Sequence, residues 1–444
     1  MFPRRACSNR SPRRLTSAAR SESLAVVPSR LRRPSLLLAL ILVAALAAPA
    51  SAADNVAGPF LADQPPLSGN WFGFRDTLAE WGITSDIRYA TNVQASVLGG
   101  RRTGQAYAGQ FGVDVSVDLQ KLAGVPGLTF DVAGDWGSGT NLSDDIGNFF
   151  PVAQFFEGRK LRLYNLYLEQ SLFDGRLDLK VGRFSTGADF LTAPAGVSLV
   201  NEALNPIVLA IQANVPGVTA EPNATWGSRV LGRPTESLSL SLGAFYSDPT
   251  IDQLTADGTE FGIDTGAGGF FIGELAYLVN YAKGATGLPG RYRAGAYYDT
   301  NRYASLRDPA REERGNYGLF LAGEQMVYRE GDVESEQGLS VFAAFVYAPL
   351  ERINTVPYFA SAGVSYRGLL PGRDADSAAF ALYYGGFSRD LPDRTYELIL
   401  EWTYAVAFSR RVSLQPDIQY VINPGGRAKV DNALVVGVQL WIEF

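Results

Sequence analysis

The chain is predicted to be all-β: a transmembrane antiparallel β-barrel of about sixteen strands, with a short N-terminal periplasmic helix and a long inward-folded loop. Apolar residues alternate with polar ones over most of the chain after residue 52, the period of a strand with one apolar and one wet face. No stretch in that region approaches the roughly twenty apolar residues of a membrane helix. The last segment, 432–444, puts Leu434, Val436, Val438, Leu440, Ile442 and Phe444 on one face. Its other face carries Ala433, Val435, Gly437, Gln439, Trp441 and Glu443, a mixed set that suits a watery lumen better than a core.

Residues 1–52 read as a signal peptide. Arg4, Arg5, Arg13, Arg14, Arg30, Arg32 and Arg33 precede the apolar run Leu36 to Ala48, which is too short to span, and Ala50-Ser51-Ala52 supplies a cleavage site. The leader holds nine arginines and one glutamate, so the 39 basic and 45 acidic residues of the whole chain become 30 and 44, a formal charge of −14. Such a chain lacks the clustered Lys and Arg that nucleic acid demands. Its one cysteine, Cys7, lies in the leader, and histidine is absent. Disulfides, thiolate or His-ligated metals, and Ser-His-Asp or Cys-His catalysis are thereby excluded. No Gly-x-Ser-x-Gly motif offers another route to a hydrolase. We expect no cofactor, no metal and no enzymatic activity.

Residues 53–82 form an N-terminal periplasmic segment in which Asn70 caps a short helix with Trp71, Phe74, Leu78 and Trp81 on one face. The barrel occupies 83–444. Strands start near Ile83, Tyr107, Gly127, Leu161, Arg176, Ala224, Glu236, Ala267, Arg291, Gly315, Gly338, Val356, Ser377, Thr395, Arg411 and Asn432, an even number as single-chain bacterial barrels require. Tight turns at Phe173-Asp174-Gly175, Arg233-Pro234-Thr235 and Ser409-Arg410 contrast with long connections at 139–159, 185–223 and 248–266. Short periplasmic turns and longer outer loops have this rhythm. The glycine-rich stretch 284–290 lacks the Gly-Lys-Ser/Thr ending of a phosphate loop and reads as a periplasmic turn. Aromatic residues gather at strand ends, as in interfacial girdles and unlike a secreted sandwich or propeller.

A loop as long as 185–223 is usually functional. It contains Ala193-Pro194-Ala195-Gly196 and a helical-looking piece near Asn201 to Ile211. We expect it to fold into the barrel and narrow the channel; the alternative is an outer lid against lipopolysaccharide or solvent.

The run Leu67-Ser68-Gly69-Asn70-Trp71-Phe72-Gly73-Phe74-Arg75, followed by Leu78 and Gly82-Ile83, resembles the opening signature of the carbohydrate-selective porin family of Gram-negative outer membranes, the OprB type. The stretches Asn141 to Asp145, Leu168 to Arg183, Gly368 to Arg373 and Leu414 to Gly426 resemble its internal motifs. The resemblance spans nearly the whole chain after the leader. It implies a monomeric sixteen-stranded barrel in the outer membrane that passes monosaccharides or short oligosaccharides by facilitated diffusion. The competing reading is a general ion and small-solute porin without a sugar site. Some relatives carry a cysteine pair in the long loop and this chain does not, which leaves loop shape and sugar preference open. The other expected partners are outer-membrane lipid, lipopolysaccharide, and the barrel-assembly machinery engaged through C-terminal Phe444.

A hexose is neutral, densely hydroxylated and mildly apolar on its ring faces, so a selective lumen needs charged and amide partners that bind weakly enough to release it. Strand parity turns inward Asp86, Arg88, Asn92, Asp114, Asp118, Asp131, Asn165, Glu169, Asp178, Lys180, Arg229, Glu274, Arg293, Glu401, Gln415 and Gln419. The candidate channel-lining, sugar-binding set is Asp86, Arg88, Asn92, Glu169, Lys180, Arg183, Arg229, Glu401, Gln415 and Gln419. Arg88, Asn92, Glu169, Lys180 and Arg229 are placed at the waist. Arg183 joins them only if a bulge reverses its outward parity. The same residues serve equally well as an electrostatic ladder that stiffens the wall and orders water.

Overall fold

Each alternating segment becomes a strand in the computed structural model, which describes residues 66–155, 160–192, 198–204, 207–250, 257–264, 266–282 and 284–444. The expected signal peptide, residues 53–65 and Ala193-Pro194-Ala195-Gly196 lie outside the described residues. In chain order the strands are β1 (Ile83–Gly100), β2 (Gly104–Asp118), β3 (Leu128–Gly139), β4 (Lys160–Leu172), β5 (Leu177–Phe184), β6 (Thr225–Gly232), β7 (Leu238–Ser247) and β8 (Gly268–Val279). They continue as β9 (Gly290–Ala304), β10 (Glu312–Arg329), β11 (Gly338–Tyr347), β12 (Tyr358–Arg367), β13 (Ser377–Gly386), β14 (Tyr396–Ala407), β15 (Val412–Ile422) and β16 (Asp431–Glu443). Every strand pairs antiparallel with its chain neighbours and β1 closes on β16, with Arg88 opposite Glu443 and Ala90 opposite Trp441. All sixteen begin within three residues of the expected starts, because the two-residue period fixes the face and the turn residues fix the ends. Closure pairs the strands all the way round, with bulges such as the one at Tyr164, and leaves no edge for lipid to meet.

The N-terminal helix differs from expectation in two ways. α1 (Phe74–Glu80) is preceded by Gly73, left-handed at φ 90°, and Asn70 instead accepts the Asp76 amide at 3.1 Å on its Oδ1. Its apolar face is not packed away: Phe74 and Trp81 are each 55% exposed. Arg75 holds the segment, donating to the Ser85 carbonyl (2.9 Å) and to Phe444 O (3.3 Å) while stacking on Trp71 at 5.0 Å. The helix therefore staples the seam where β1 meets the C-terminal strand.

Leu161, Leu168, Leu240, Leu242, Phe271, Leu319, Leu321, Phe345 and Trp402 are exposed on the outer face, where lipid satisfies them. Tyrosine pairs mark both ends of that band. Tyr347 stacks on Tyr358 (5.3 Å) and Tyr384 on Tyr396 (5.7 Å) toward the long-loop rim, and Tyr328 meets Tyr366 (6.4 Å) toward the short-turn rim.

The inner face is not uniformly polar. Phe245, Phe270, Ile272, Tyr297, Phe320, Phe342, Val346, Phe359, Tyr383 and Ile399 line the inside of β7 to β14 and are buried against Phe150, Phe190, Leu191, Leu199, Leu204, Ile207, Val208, Ile211, Val215 and Val218. The second group comes from the connections after β3 and β5. Beyond α2 (Leu119–Ala123) in the β2–β3 turn, these connections contain α3 (Ser143–Ile146), α4 (Thr186–Asp189) and α5 (Leu209–Asn214), and the barrel swallows them as an apolar wedge. The helix expected near 201–211 is shorter and later, since Asn201 Oδ1 takes the Ala203 amide (2.8 Å) and ties residues 201–203 into a turn. Each large apolar side chain so buried contributes about 1.5–3 kcal/mol, which sets the wedge on one side of the lumen.

Phe150 sits at the centre of this wedge, fully buried, edge-on to Phe149 at 5.2 Å and 5.5 Å from Phe359. Phe150→Ala should weaken docking of the wedge by about 3–5 kcal/mol and spare the wall ladder. Current noise and protease cleavage within 140–155 are expected to rise while the barrel keeps its heat-modifiable mobility in gels. Quiet current and full protease resistance would contradict the packing described.

Candidate channel constriction

With β7 to β14 covered, the open space lies against β16, β1, β2 and β3. It measures about 440 Å³ and is bounded by Arg88, Gln110, Asp135, Gln439, Trp441 and Glu443 from the wall and by Gln154, Phe155, Glu202, Gln212 and Glu221 from the wedge. Arg88 crosses its floor. The guanidinium pairs with Asp114, donates to Tyr164 Oη and lies 5.8 Å from the Tyr164 ring, and Tyr164 in turn donates to Asp114. Gly112, opposite Arg88 in the β1–β2 register, makes this possible, because a Cβ there would meet Arg88 Nε at 3.0 Å.

A second charged group lies where β4, β5 and β6 run side by side. Glu169 faces Lys180, and Lys180 faces Arg229. Lys180 Nζ is 3.0 Å from Asp189 and 3.6 Å from Glu169, and Arg229 Nη2 is 2.7 Å from Glu169 and 3.5 Å from Asp189. Lys180 also sits over the Tyr167 ring at 4.3 Å. Lys180 and Arg229 are almost wholly buried, and Glu169 keeps a quarter (25%) of its side chain open. Asp189 arrives on α4, whose start is capped by Ser185 Oγ accepting the Gly187 amide at 3.1 Å.

A third group holds the wedge to the wall. Glu401 accepts the amides of Val200 and Asn201 (3.0 Å to the latter) and the Tyr383 hydroxyl. Glu397 accepts the amides of Phe149 (2.8 Å), Phe150 (2.9 Å) and Gly425. Glu274 accepts the Leu191 amide (3.1 Å) and pairs with Arg293 (2.8 Å). Side-chain amides add to them: Gln415 donates to Ser198 O (2.9 Å), Gln419 to Val152 O (2.7 Å), Asn92 to Phe155 O (3.0 Å) and Gln94 to Val152 O (2.8 Å).

Of the residues expected to line the channel, the structure sets Arg88 on the open space and Asp86, exposed, on the same face of β1 toward the short-turn rim. Glu169, Lys180 and Arg229 form the ion cluster. Asn92, Glu401, Gln415 and Gln419 face inward as parity requires but lie under the wedge, holding it, which corrects their placement on the water path. Arg183 is corrected too. β5 has no bulge, so Phe184 takes the inward position and Arg183 turns out beneath the returning connection, donating to Gly258 O, Glu260 O and Ala224 O.

The sequence reading missed Asp189, Glu221, Tyr164 and Arg162. A register shift between Ala133 and Gly134 skips Tyr164, so below it Tyr167 and Glu169 face in, and above it Tyr164 and Arg162 do. One-residue slips of this kind reverse parity and leave no mark in an alternating pattern. Glu221 is exposed to the open space, and the protein around that space raises its carboxyl above the usual range despite the pull of Arg88 and Lys180.

A family model described as carbohydrate-selective porin, OprB family, matches residues 102–444. Porin B of Pseudomonas aeruginosa is 26% identical over 441 residues, covering 88% of this chain and 94% of that protein. A putative porin, QuiX, of Acinetobacter baylyi is 23% identical over 86% of this chain and 94% of its own length. The high-pH structure of Pseudomonas putida OprB superposes with a TM-score of 0.79 at 27% identity, covering 87% of this chain and 100% of that one.

Two outcomes are expected of this geometry. Glu401→Ala strands two loop amides and a phenol, at about 1–3 kcal/mol each, so single-channel conductance should rise as the wedge loosens; unaltered conductance would mean that the other contacts suffice. Protonating Glu221 removes a negative charge from the passage, so cation permeability relative to anion permeability should fall as pH drops, the raised carboxyl losing its charge before ordinary carboxylates do. Reversal potentials in a salt gradient measure this. Glu221→Gln should show the low-pH selectivity at every pH, and a variant that still follows pH would move the effect to another carboxylate.

Proposed function

Since the chain belongs to the carbohydrate-selective porins of the OprB family and is thus a sugar channel of the Gram-negative outer membrane, we propose that monosaccharides or short oligosaccharides cross it along the open side of the lumen, past Arg88. The observation that carries this reading is the off-centre passage of about 440 Å³ whose border sets Arg88, paired with Asp114, among the side-chain amides of Gln110, Gln154, Gln212 and Gln439. A volume of that order accommodates a small molecule. The Arg88–Asp114 pair and these amides offer donors and acceptors side by side, which suits a neutral polyhydroxylated solute.

Arg88, with Asp114 and Tyr164 beside it, supplies donors and acceptors together at one level of the passage. Glu169 offers the open edge of the second cluster, and Lys180 and Arg229 hold it in place. Passage requires no bond making, and a chain without histidine has few means for it. Residues 1–52 direct export. The C-terminal strand ending in Phe444 is the part offered to the barrel-assembly machinery, and the long connections at the opposite rim meet lipopolysaccharide.

Single-channel current through the protein in a planar bilayer, titrated with glucose and maltose, tests the reading. Concentration-dependent block is expected in the native channel. Arg88→Ala should fold, conduct ions at least as well and require several-fold more glucose for half block, a loss of about 1 kcal/mol for one hydrogen-bonding partner. Identical block in both would remove Arg88 from the sugar path, and a native channel indifferent to sugar would refute the proposal.

A further inference from the structure

Directly above Arg88, the wall carries a row of contrasting side chains. Trp441 on β16 pairs with Ala90 on β1, and Ala90 pairs with Gln110 on β2. Trp441 and Gln110 both border the open space, and the small Ala90 between them is buried. On the wedge side Phe155 lies 6.2 Å from Trp441 with its ring tilted by 37°. Asn92 fixes Phe155 by donating to its carbonyl at 3.0 Å. Both rings are half-buried and both face the passage. Around them stand Gln154, Gln439 and Glu443, and Gln439 Oε1 is a buried acceptor with no hydrogen-bond partner.

We propose that Trp441 and Phe155 form a platform for one pyranose ring, which lays its C–H face on the indole while its hydroxyls reach Arg88, Gln439 and Gln154. The physical basis is that an aromatic face is electron-rich and attracts the slightly positive axial hydrogens of a sugar ring. Water gains little from solvating either surface, so their contact is favourable even where the hydroxyls only exchange water for side-chain partners. The site therefore reads the ring and not the hydroxyl count. A cyclic hexose with an unbroken apolar face is preferred over an open-chain polyol of the same size. A single half-buried platform binds weakly, as a channel needs if the solute is to leave.

This inference rests on the sugar-channel reading, and the test separates the two. Glucose and sorbitol are compared in liposome swelling and in current block, on the native protein and on Trp441→Leu and Phe155→Leu, which keep apolar bulk and remove the ring. Single-channel ion conductance shows that each variant has folded. In the native channel glucose should enter faster and block more strongly than sorbitol. Trp441→Leu should weaken glucose block roughly three- to tenfold and leave sorbitol flux unchanged, and Phe155→Leu should do the same to a smaller extent. A glucose preference that survives in both variants overturns the platform while the sugar channel stands. A native channel that passes both solutes alike and shows no block overturns the sugar site and the platform together.

Discussion

The structure depends on a constraint that the barrel itself creates. A closed sheet pairs its strands all the way round, so a connection that enters the lumen finds no ladder to join and brings its own amides into a buried place. Leaving such groups unpaired costs about 1–3 kcal/mol apiece. The wall answers with side chains. Glu274, Glu397 and Glu401 between them accept six amides of the inner chain and neighbouring turn. A carboxylate suits the task because two oxygens accept several strong, charge-assisted bonds. Asn92, Gln94, Gln415 and Gln419 meet the complementary need and donate to carbonyls.

From that anchoring the shape of the lumen follows. The wedge lies on the apolar inner surface of β7 to β14, and the remaining passage runs beside β16, β1, β2 and β3. Charges near it are matched at contact distance: Arg88 with Asp114, and Lys180 and Arg229 with Glu169 and Asp189. Asp135, Glu202, Glu221 and Glu443 also border the passage, in keeping with a sequence that is strongly acidic outside the leader.

Strand number, order and most strand boundaries were legible because they follow from a period of two and from turn chemistry. The N-terminal helix was legible in existence but not in capping, since Gly73 in a left-handed conformation displaces Asn70 from that role. The wedge left a readable trace. Val341, Phe342, Ala343, Ala344, Phe345 and Val346 make both faces of β11 apolar; one face meets lipid, so the other must meet protein inside the barrel. Inward polar residues could not be sorted the same way. Parity places Glu401 and Arg88 alike on the lumen side, and only tertiary packing decides that one meets backbone amides and the other water. The bulge at Tyr164 and the turn that delivers Asp189 depend on register and loop geometry, for which alternation carries no signal.

Selectivity in this barrel therefore arises by subtraction. Much of the polar side-chain capacity on the lumen face is used to hold the wedge, and Lys180 and Arg229 are used to hold Glu169 and Asp189. What remains facing the passage includes Arg88, Glu221, Gln154 and Gln439 with the rings of Trp441 and Phe155. Because the buried contacts fix those few groups in place, a solute meets preset donors, acceptors and faces and need not order them on entry, a saving of about 0.5–1.5 kcal/mol for each side chain already immobilised. A rigid but sparse site discriminates through geometry and binds weakly, which are the two properties a channel must combine to be selective and still conduct.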